Sequence, residues 1–406
     1  MNGFDSSNDI KLEFPDNDGL AASNIELRDP ERRVSDTDNR SRGLLASRRG
    51  ILPVLGLYLG LRFALLLCNV LAAKITGARN WLTPFTAWDG HWYTQVAESW
   101  YGSTALSSVH LTYAAGGFEP GWPALIKLGT MTGLSLAASA FVMSLLVGGV
   151  TVFAIWRLSM ELLPERPEMA TAAVLAFPGA AVVFGIAYSE VLSIGCVAAT
   201  LLLLINRRWV LAGIAATIAT ATSSLAVVLP LVCLIQAVLA IKERREYRSL
   251  WAPAIAPVGF LGFVGYLGYL AKDPLYWWKL QGQAWGAKIE PGYIFHWFRS
   301  FSGTGWGAYW MAASGLVVLA YLIVSSLRSD FPMSVKLYCA SVAVMVLINP
   351  ALGPKPRFLF WLFPAVLLLP RDLKPRLFNS VLIVMAWLLP MLLIAYTTIG
   401  NTVAQP

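Results

Sequence analysis

The chain has 406 residues, of which 57% are hydrophobic and 13% charged, with a formal net charge of +8. Soluble globular domains carry about 25% charged residues, so a soluble fold is excluded. The bases sit mostly in short loops and form no stripe with aromatic residues of the kind that tracks phosphates, which excludes a nucleic-acid partner.

Apolar residues come in long runs, and a run of about 20 spans the hydrocarbon layer as a helix. Each run must close its own backbone hydrogen bonds there. The short alternating segments of a membrane β-barrel do not occur. The reading is therefore an all-α, polytopic membrane protein of about 11 transmembrane helices.

Residues 1–49 are polar, rich in Asp, Asn, Ser and Arg, and read as a disordered cytoplasmic tail. The apolar run that follows starts too late and is too long for a signal peptide. Arg40, Arg42, Arg48 and Arg49 precede it, and the positive-inside rule puts the N-terminus in the cytoplasm. A transmembrane domain over 50–400 follows. Its first span covers 51–73, and the polar, aromatic segment 74–118 forms the first outer loop, expected to carry short interfacial helices.

Between 118 and 205 the chain must cross an odd number of times. The segment 119–134, with Glu119, Pro120, Pro123 and Lys127, reads as a short interfacial helix or half-span. Crossings are expected at 138–158, 169–187 and 190–205. Basic loops at Arg207-Arg208, Lys242 to Arg248, Arg328, and Arg371 to Arg376 mark further inner points. Between them lie paired spans at 209–223 and 225–241, 251–271 and 306–327, and 333–349 and 357–370. A last span at 377–398 leaves the C-terminus outside. The remaining outer loops are 272–305 and 349–357. The cysteines Cys68, Cys196, Cys233 and Cys339 lie in apolar runs without a C-x-x-C pair, and read as small core residues.

Carboxylates near a bilayer are costly to keep, so the few outside the tail are informative. Asp89, Glu98, Glu119, Glu190, Asp273 and Glu290 all map to the outer side. Asp89 sits in Trp88-Asp89-Gly90-His91-Trp92-Tyr93. Interfacial anchoring accounts for Trp88, Trp92 and Tyr93 but not for an aspartate among them. Shielding by those rings suits a general base, and His91 is placed to tune it. Glu119 and Glu190, the latter after Tyr188-Ser189, are either acids at helix starts or part of the same site. His110 and His296 read as loop residues, and the histidines are too scattered for a metal site. No phosphate-binding G-x-x-x-x-G-K-[ST] loop and no G-x-S-x-G elbow occurs.

These segments resemble the bacterial type of the PIG-V-type mannosyltransferases. Trp88 to Tyr93, with Ala97-Glu98 and Tyr101-Gly102, resembles the family's first outer loop. Phe118-Glu119-Pro120-Gly121-Trp122-Pro123 is similar to F-F-P-x-Y-P, and Phe177-Pro178 with Tyr188-Ser189-Glu190 to F-P…Y-S-E. Asp273-Pro274-Leu275 with Gln283-Ala284-Trp285-Gly286 resembles G-D-P-L…A-W-G, and Arg357-Phe358 with Phe363-Pro364 resembles R-Y…F-P. The matches run in order over residues 51–398. Ala87 stands where the family has Arg, Glu119 where it has an aromatic residue, and Ala221-Thr222-Ser223-Ser224 where it has a T-R segment.

The resemblance implies a GT-C membrane glycosyltransferase, with no cofactor, that takes a sugar from a polyprenyl-phosphate donor. The sugar is expected to be mannose, moved to a glycolipid, lipoglycan or protein acceptor on the outer face of a bacterial plasma membrane. It implies inversion with Asp89 as general base. Glu119, Trp88, His91, Trp92, Tyr93, Tyr188 and Glu190 are expected to bind substrate. Arg357, with Lys355 beside it, is the choice for the leaving phosphate, because arginine can hold phosphate through two parallel hydrogen bonds. Arg299, Lys279 and Lys288 are lesser candidates. Two other readings are a transporter or lipid flippase and a non-catalytic scaffold. A transporter places charges midway along its spans, whereas these acids gather at one face.

Overall fold

The computed structural model describes residues 30–101, 115–294 and 306–398, and every described element is helical. His110, His296 and Arg299 lie outside these residues. The chain divides into two units, Met1–Arg48 and Arg49–Pro406, and the site lies in the second. Of the expected unstructured tail, residues 1–29 fall outside the description. From Pro30 the chain is helical, as α1 (Pro30–Thr76). Proline is preorganised for a first helical position, and Leu, Ala and Arg favour its continuation.

Among the described residues, five helical stretches are long and apolar enough to cross a bilayer: Gly50–Thr76, Leu136–Leu162, Ser224–Arg244, Tyr247–Ala271 and Pro375–Thr398. Shorter apolar helices lie beside them, at Glu190–Ile205, Trp209–Thr220, Ala313–Arg328, Met333–Ile348 and Pro356–Val366. Exposed Phe63, Val150, Val317 and Trp387 make an apolar exterior, as a lipid solvent requires. The chain is an all-helical multi-pass membrane protein.

In chain order after α1 come α2 (Leu82–Phe85), α3 (Asp89–Ser99), α4 (Gly121–Thr130) and α5 (Leu136–Leu162). Both α2 and α3 are the short helices expected in the first outer loop, and α4 is the expected short re-entry helix. Next are α6 (Pro167–Ala176), α7 (Ala180–Gly185), α8 (Glu190–Ile205), α9 (Trp209–Thr220), α10 (Val228–Arg244), α11 (Trp251–Ile255), α12 (Val258–Ala271) and α13 (Tyr276–Trp285). The chain ends with α14 (Trp306–Arg328), α15 (Met333–Ile348), α16 (Pro356–Leu359), α17 (Phe363–Val366), α18 (Leu369–Asp372) and α19 (Pro375–Thr398).

Three expected crossings are not single helices; one of them, 251–271, is divided at Ala256-Pro257 between α11 and α12. The run 169–187 is split into α6 and α7 at Phe177-Pro178-Gly179. Pro178 has no N–H to continue the ladder, and Gly179 lies where a Cβ would overlap the Pro356 carbonyl oxygen. The run 357–370 becomes α16, a 3-10 turn at Phe360–Leu362, α17 and α18. Prolines 356, 364 and 370 interrupt it. Its residues Phe358 to Leu369 are buried, so this apolar run is at the centre of the protein and is not a lipid-facing span. Irregular backbone at this depth is tolerated only inside protein or along a cavity.

Two polar residues of α1 secure the broken region. Buried Arg62 donates to Ser144 Oγ at 3.2 Å and to the Phe184 carbonyl. Asn69 Nδ2 donates to the Gly185 carbonyl at 2.9 Å. These are the last carbonyls of α7, which have no partner within their own helix.

Small residues let α5 and α8 approach closely: a Cβ on Gly195 would overlap Thr151 Oγ1, which itself donates to the Val191 carbonyl. Close approach through small residues is how membrane helices associate. Gly195→Leu should therefore cost about 1–3 kcal/mol by overpacking, read as a lower thermal midpoint of the detergent-purified protein; an unchanged midpoint would refute the tight contact.

Candidate active site at the broken helices

The site is built where three interruptions of the helical backbone meet: the turn before α3, the break between α7 and α8, and the segment before α16. Within the unwound stretch Ile186–Ser189, Ala187 keeps both of its backbone groups paired. Ala187 N–H donates to the Phe85 carbonyl at 2.8 Å, and the Trp122 indole donates to the Ala187 carbonyl at 3.1 Å. This stitching holds Tyr188 and Glu190 against the first outer loop.

Asp89 opens α3. Before it, Trp88 has φ +56° and ψ −129°, a backbone region that costs a bulky residue of order 1–3 kcal/mol. The conformation is fixed by the Trp88 indole, which donates to the Tyr396 carbonyl at 2.7 Å. Trp88 thus sets the entry of α3 and the direction of Asp89.

Arg357 joins the three parts. Its Nη1 lies 2.6 Å from Asp89 Oδ2, and its Nε donates to Glu190 Oε1. The guanidinium carbon stands 4.3 Å from the centre of the Tyr188 ring and 5.2 Å from that of Phe358. The Tyr188 hydroxyl accepts a 3.4 Å bond from Asp89 N–H. Glu190 is 2% exposed, Arg357 12% and Asp89 25%, so the open edge of the triad is Asp89.

Lys355 is half-buried. Its ammonium stands 5.8 Å from the Phe358 ring centre and has no hydrogen bond or ion pair among the described residues. Burial pushes its pKa down to about 8; the Arg357 charge adds to this and Asp89 opposes it. The segment carrying both cations is held from two sides, since a Cβ on Gly179 would overlap the Pro356 carbonyl and one on Gly315 the Pro354 carbonyl. Beside it, an apolar cavity of about 590 Å³ between α14 and α19 runs from Pro354 and Pro356 to Tyr321 and Leu373.

Tyr93 is buried and shares a 2.7 Å hydrogen bond with Ser189 Oγ. Burial raises the pKa of both Tyr93 and Tyr188, and the Glu190 and Asp89 charges raise both further. Glu119 is 4% exposed and its Oε1 has no partner. Burial pushes its pKa up from 4.5 to about 8; the Glu190 charge adds to this, while N–H bonds from its own residue and Ser224 oppose it. Trp92 stacks on Phe118 with 13° between planes and centres 6.1 Å apart, and Trp285 meets the edge of Phe118 at 5.4 Å.

Of the site residues expected from sequence, Asp89, Glu119, Tyr93, Tyr188, Glu190, Arg357 and Lys355 come together. Trp88 and Trp92 frame them. His91 is exposed, with its ring against Trp92 at 5.6 Å, and makes no hydrogen bond with Asp89. The lesser cations are engaged elsewhere: Lys279 pairs with Asp273 at 2.6 Å and Lys288 with Glu290 at 2.8 Å. Sequence reasoning missed Ser189, Ser224, Arg62 and Asn69. A polar residue inside an apolar run was the available signal for Arg62 and Asn69.

No protein-family model matches the chain, and no curated protein matches it. Among solved structures, it is similar to the crystal structure of ArnT from Cupriavidus metallidurans bound to undecaprenyl phosphate. The TM-score is 0.51 at 15% identity, over 82% of this chain and 65% of that one. The chain thus spans less than two thirds of the length of ArnT. A second similar structure is the archaeal oligosaccharyltransferase AglB from Archaeoglobus fulgidus in complex with an inhibitory peptide and a dolichol-phosphate. Its TM-score is 0.42 at 13% identity, over 82% of this chain and 55% of that one. The likeness to ArnT concerns the fold, which is the expected all-helical, GT-C-like one.

The folded protein holds a proton on Glu119 between pH 4.5 and about 8 that the unfolded chain gives up. This contribution is full at the acid end and is lost as pH rises through that window. Glu119→Gln, which copies the neutral acid, should flatten the fall in thermal midpoint across the same range; equal slopes for both proteins would refute the assignment.

Proposed function

We propose that the protein is a membrane glycosyltransferase that uses a polyprenyl-phosphate sugar donor, with Asp89 as the general base of an inverting transfer. The observation that carries this reading is the convergence of Asp89 with Arg357 and Lys355, where a half-exposed carboxylate adjoins two cations. Lys355 makes no hydrogen bond or ion pair among the described residues, and its neighbours Pro354 and Pro356 line an apolar cavity of about 590 Å³. A sugar phosphate on a long apolar carrier has these three parts: a reacting carbon, a dianionic leaving group and a tail. ArnT, whose fold is similar, is bound to undecaprenyl phosphate, which supports a lipid-phosphate donor here.

In this mechanism the acceptor hydroxyl gives its proton to Asp89 as its oxygen bonds to the anomeric carbon. The bond from that carbon to the phosphate oxygen breaks, and its electron pair leaves with the phosphate. Lys355 and Arg357 take up the charge that develops on the leaving phosphate, and arginine can do so with two parallel N–H bonds. The tail lies along the apolar wall formed by Val317, Val318 and Leu322 of α14 with Leu388 and Leu392 of α19. Aromatic Trp92 and Phe118 supply an apolar face for a sugar ring.

The finer reading is a mannosyltransferase of the PIG-V type. It rests on the ordered motifs around Asp89, Glu119, Glu190 and Arg357. A glycolipid or lipoglycan acceptor on the outer face of a plasma membrane agrees with the basic inner loops. No ATP-binding loop is needed, because the donor carries its own activation.

Membranes containing the protein should transfer radiolabel from polyprenyl-phosphate-mannose to an endogenous acceptor, and identification of the labelled product would define that acceptor. Asp89→Asn should lower the rate by about 10²–10⁴-fold at unchanged protein level. A variant with full activity would refute the role of Asp89, and label transferred only from another polyprenyl-phosphate sugar would refute mannose.

A further inference from the structure

The triad poses a geometric problem for a base at Asp89. Its Oδ2 already accepts from Arg357 Nη1 at 2.6 Å, so the carboxylate oxygen that faces the guanidinium is engaged by a cation. The two bonds that Arg357 makes are not equivalent. Glu190 is 2% exposed, and its Oε2 has no other partner. Breaking its bond to Nε would strand a charge in a dry setting, which is strongly unfavourable. Asp89 is 25% exposed, so water can replace the guanidinium there. The Tyr188 ring lies 4.3 Å from the guanidinium carbon, a surface along which the planar group can turn while Nε stays fixed.

A phosphate is the acceptor that best competes for such a group, because it takes parallel N–H bonds and carries more charge than a carboxylate. Lys355, unpaired and two residues away, provides the first attraction. Resting on the donor reading above, we propose that Arg357 exchanges partners when the donor binds. Nη1 leaves Asp89 Oδ2 for a phosphate oxygen, Nε stays on Glu190, and Asp89 becomes free to accept a proton only once the donor is seated. Glu190 is then a positioning residue that pivots Arg357 and does not touch the sugar. The catalytic base is masked until the leaving group arrives, and donor binding precedes activation of the acceptor.

The test is direct binding of undecaprenyl phosphate, which lacks a sugar, to the full-length protein in nanodiscs. Asp89→Asn and Glu190→Gln each remove one negative charge beside Arg357. Loss of charge alone would tighten binding in both. Partner exchange predicts opposite signs: Asp89→Asn binds several-fold tighter than the unaltered protein because the competing carboxylate is gone. Glu190→Gln binds several-fold weaker because Arg357 has lost its pivot. Equal tightening in both, or no gain in Asp89→Asn, overturns the exchange. If Glu190→Gln does not fold, infrared difference spectra on adding the lipid decide the matter. A carboxylate stretch should shift in the unaltered protein and not in Asp89→Asn, and a flat spectrum overturns the proposal. No binding to the unaltered protein or to either variant overturns the donor reading itself, and the exchange with it.

Discussion

One guanidinium, that of Arg357, is shared between a carboxylate at the head of α3 and a carboxylate at the head of α8. A buried charge is tolerated only when paired and hydrogen-bonded. Here the pairing also joins pieces of chain far apart in sequence: Arg357 is 268 residues from Asp89 and 167 from Glu190. Removing either acid would leave Arg357 partly uncompensated, which ties the integrity of the site to the packing of α3, α8 and α16.

That constraint accounts for the helix breaks. An uninterrupted helix over 169–187 would place Tyr188 and Glu190 by helical rotation alone. Instead Pro178 and Gly179 end α6, Arg62 and Asn69 hold the last carbonyls of α7, and Phe85 and Trp122 pair the backbone of Ala187. These bonds stand in for intrahelical ones that the breaks remove, as the membrane interior demands. On the other side, Gly179 and Gly315 permit the close approach of the carbonyls of Pro356 and Pro354, so Lys355 and Arg357 are presented on a segment with little freedom. Strain at Trp88 and close packing around Pro354 and Pro356 are two forms of one property: the backbone that carries the charged groups is held by its neighbours.

Two buried carboxylate oxygens of the site lack partners among the described residues, as do polar atoms elsewhere in the fold, among them Gln236 Oε1, Trp277 Nε1 and Ser334 Oγ. Glu119 Oε1 and Glu190 Oε2 are buried without partners, and Lys355 has no carboxylate of its own. Buried polar groups are normally paired.

The sequence alone determined the physical class of this protein and pointed to most of the residues that meet around Arg357. Long apolar runs can exist only as helices in lipid, and an aspartate among tryptophans, or an arginine leading an apolar run, costs too much to be incidental. Those arguments act locally, so they were legible without a fold. They could not show that 169–187 and 357–370 are broken and buried, because hydropathy averages over a window and does not register which backbone bonds are replaced by neighbours. Nor could they show that Arg357 bridges Asp89 and Glu190, that His91 turns away, or that Arg62 and Asn69 of α1 secure the end of α7. These outcomes depend on distant segments meeting within a few ångströms, and only tertiary packing decides which charges become partners.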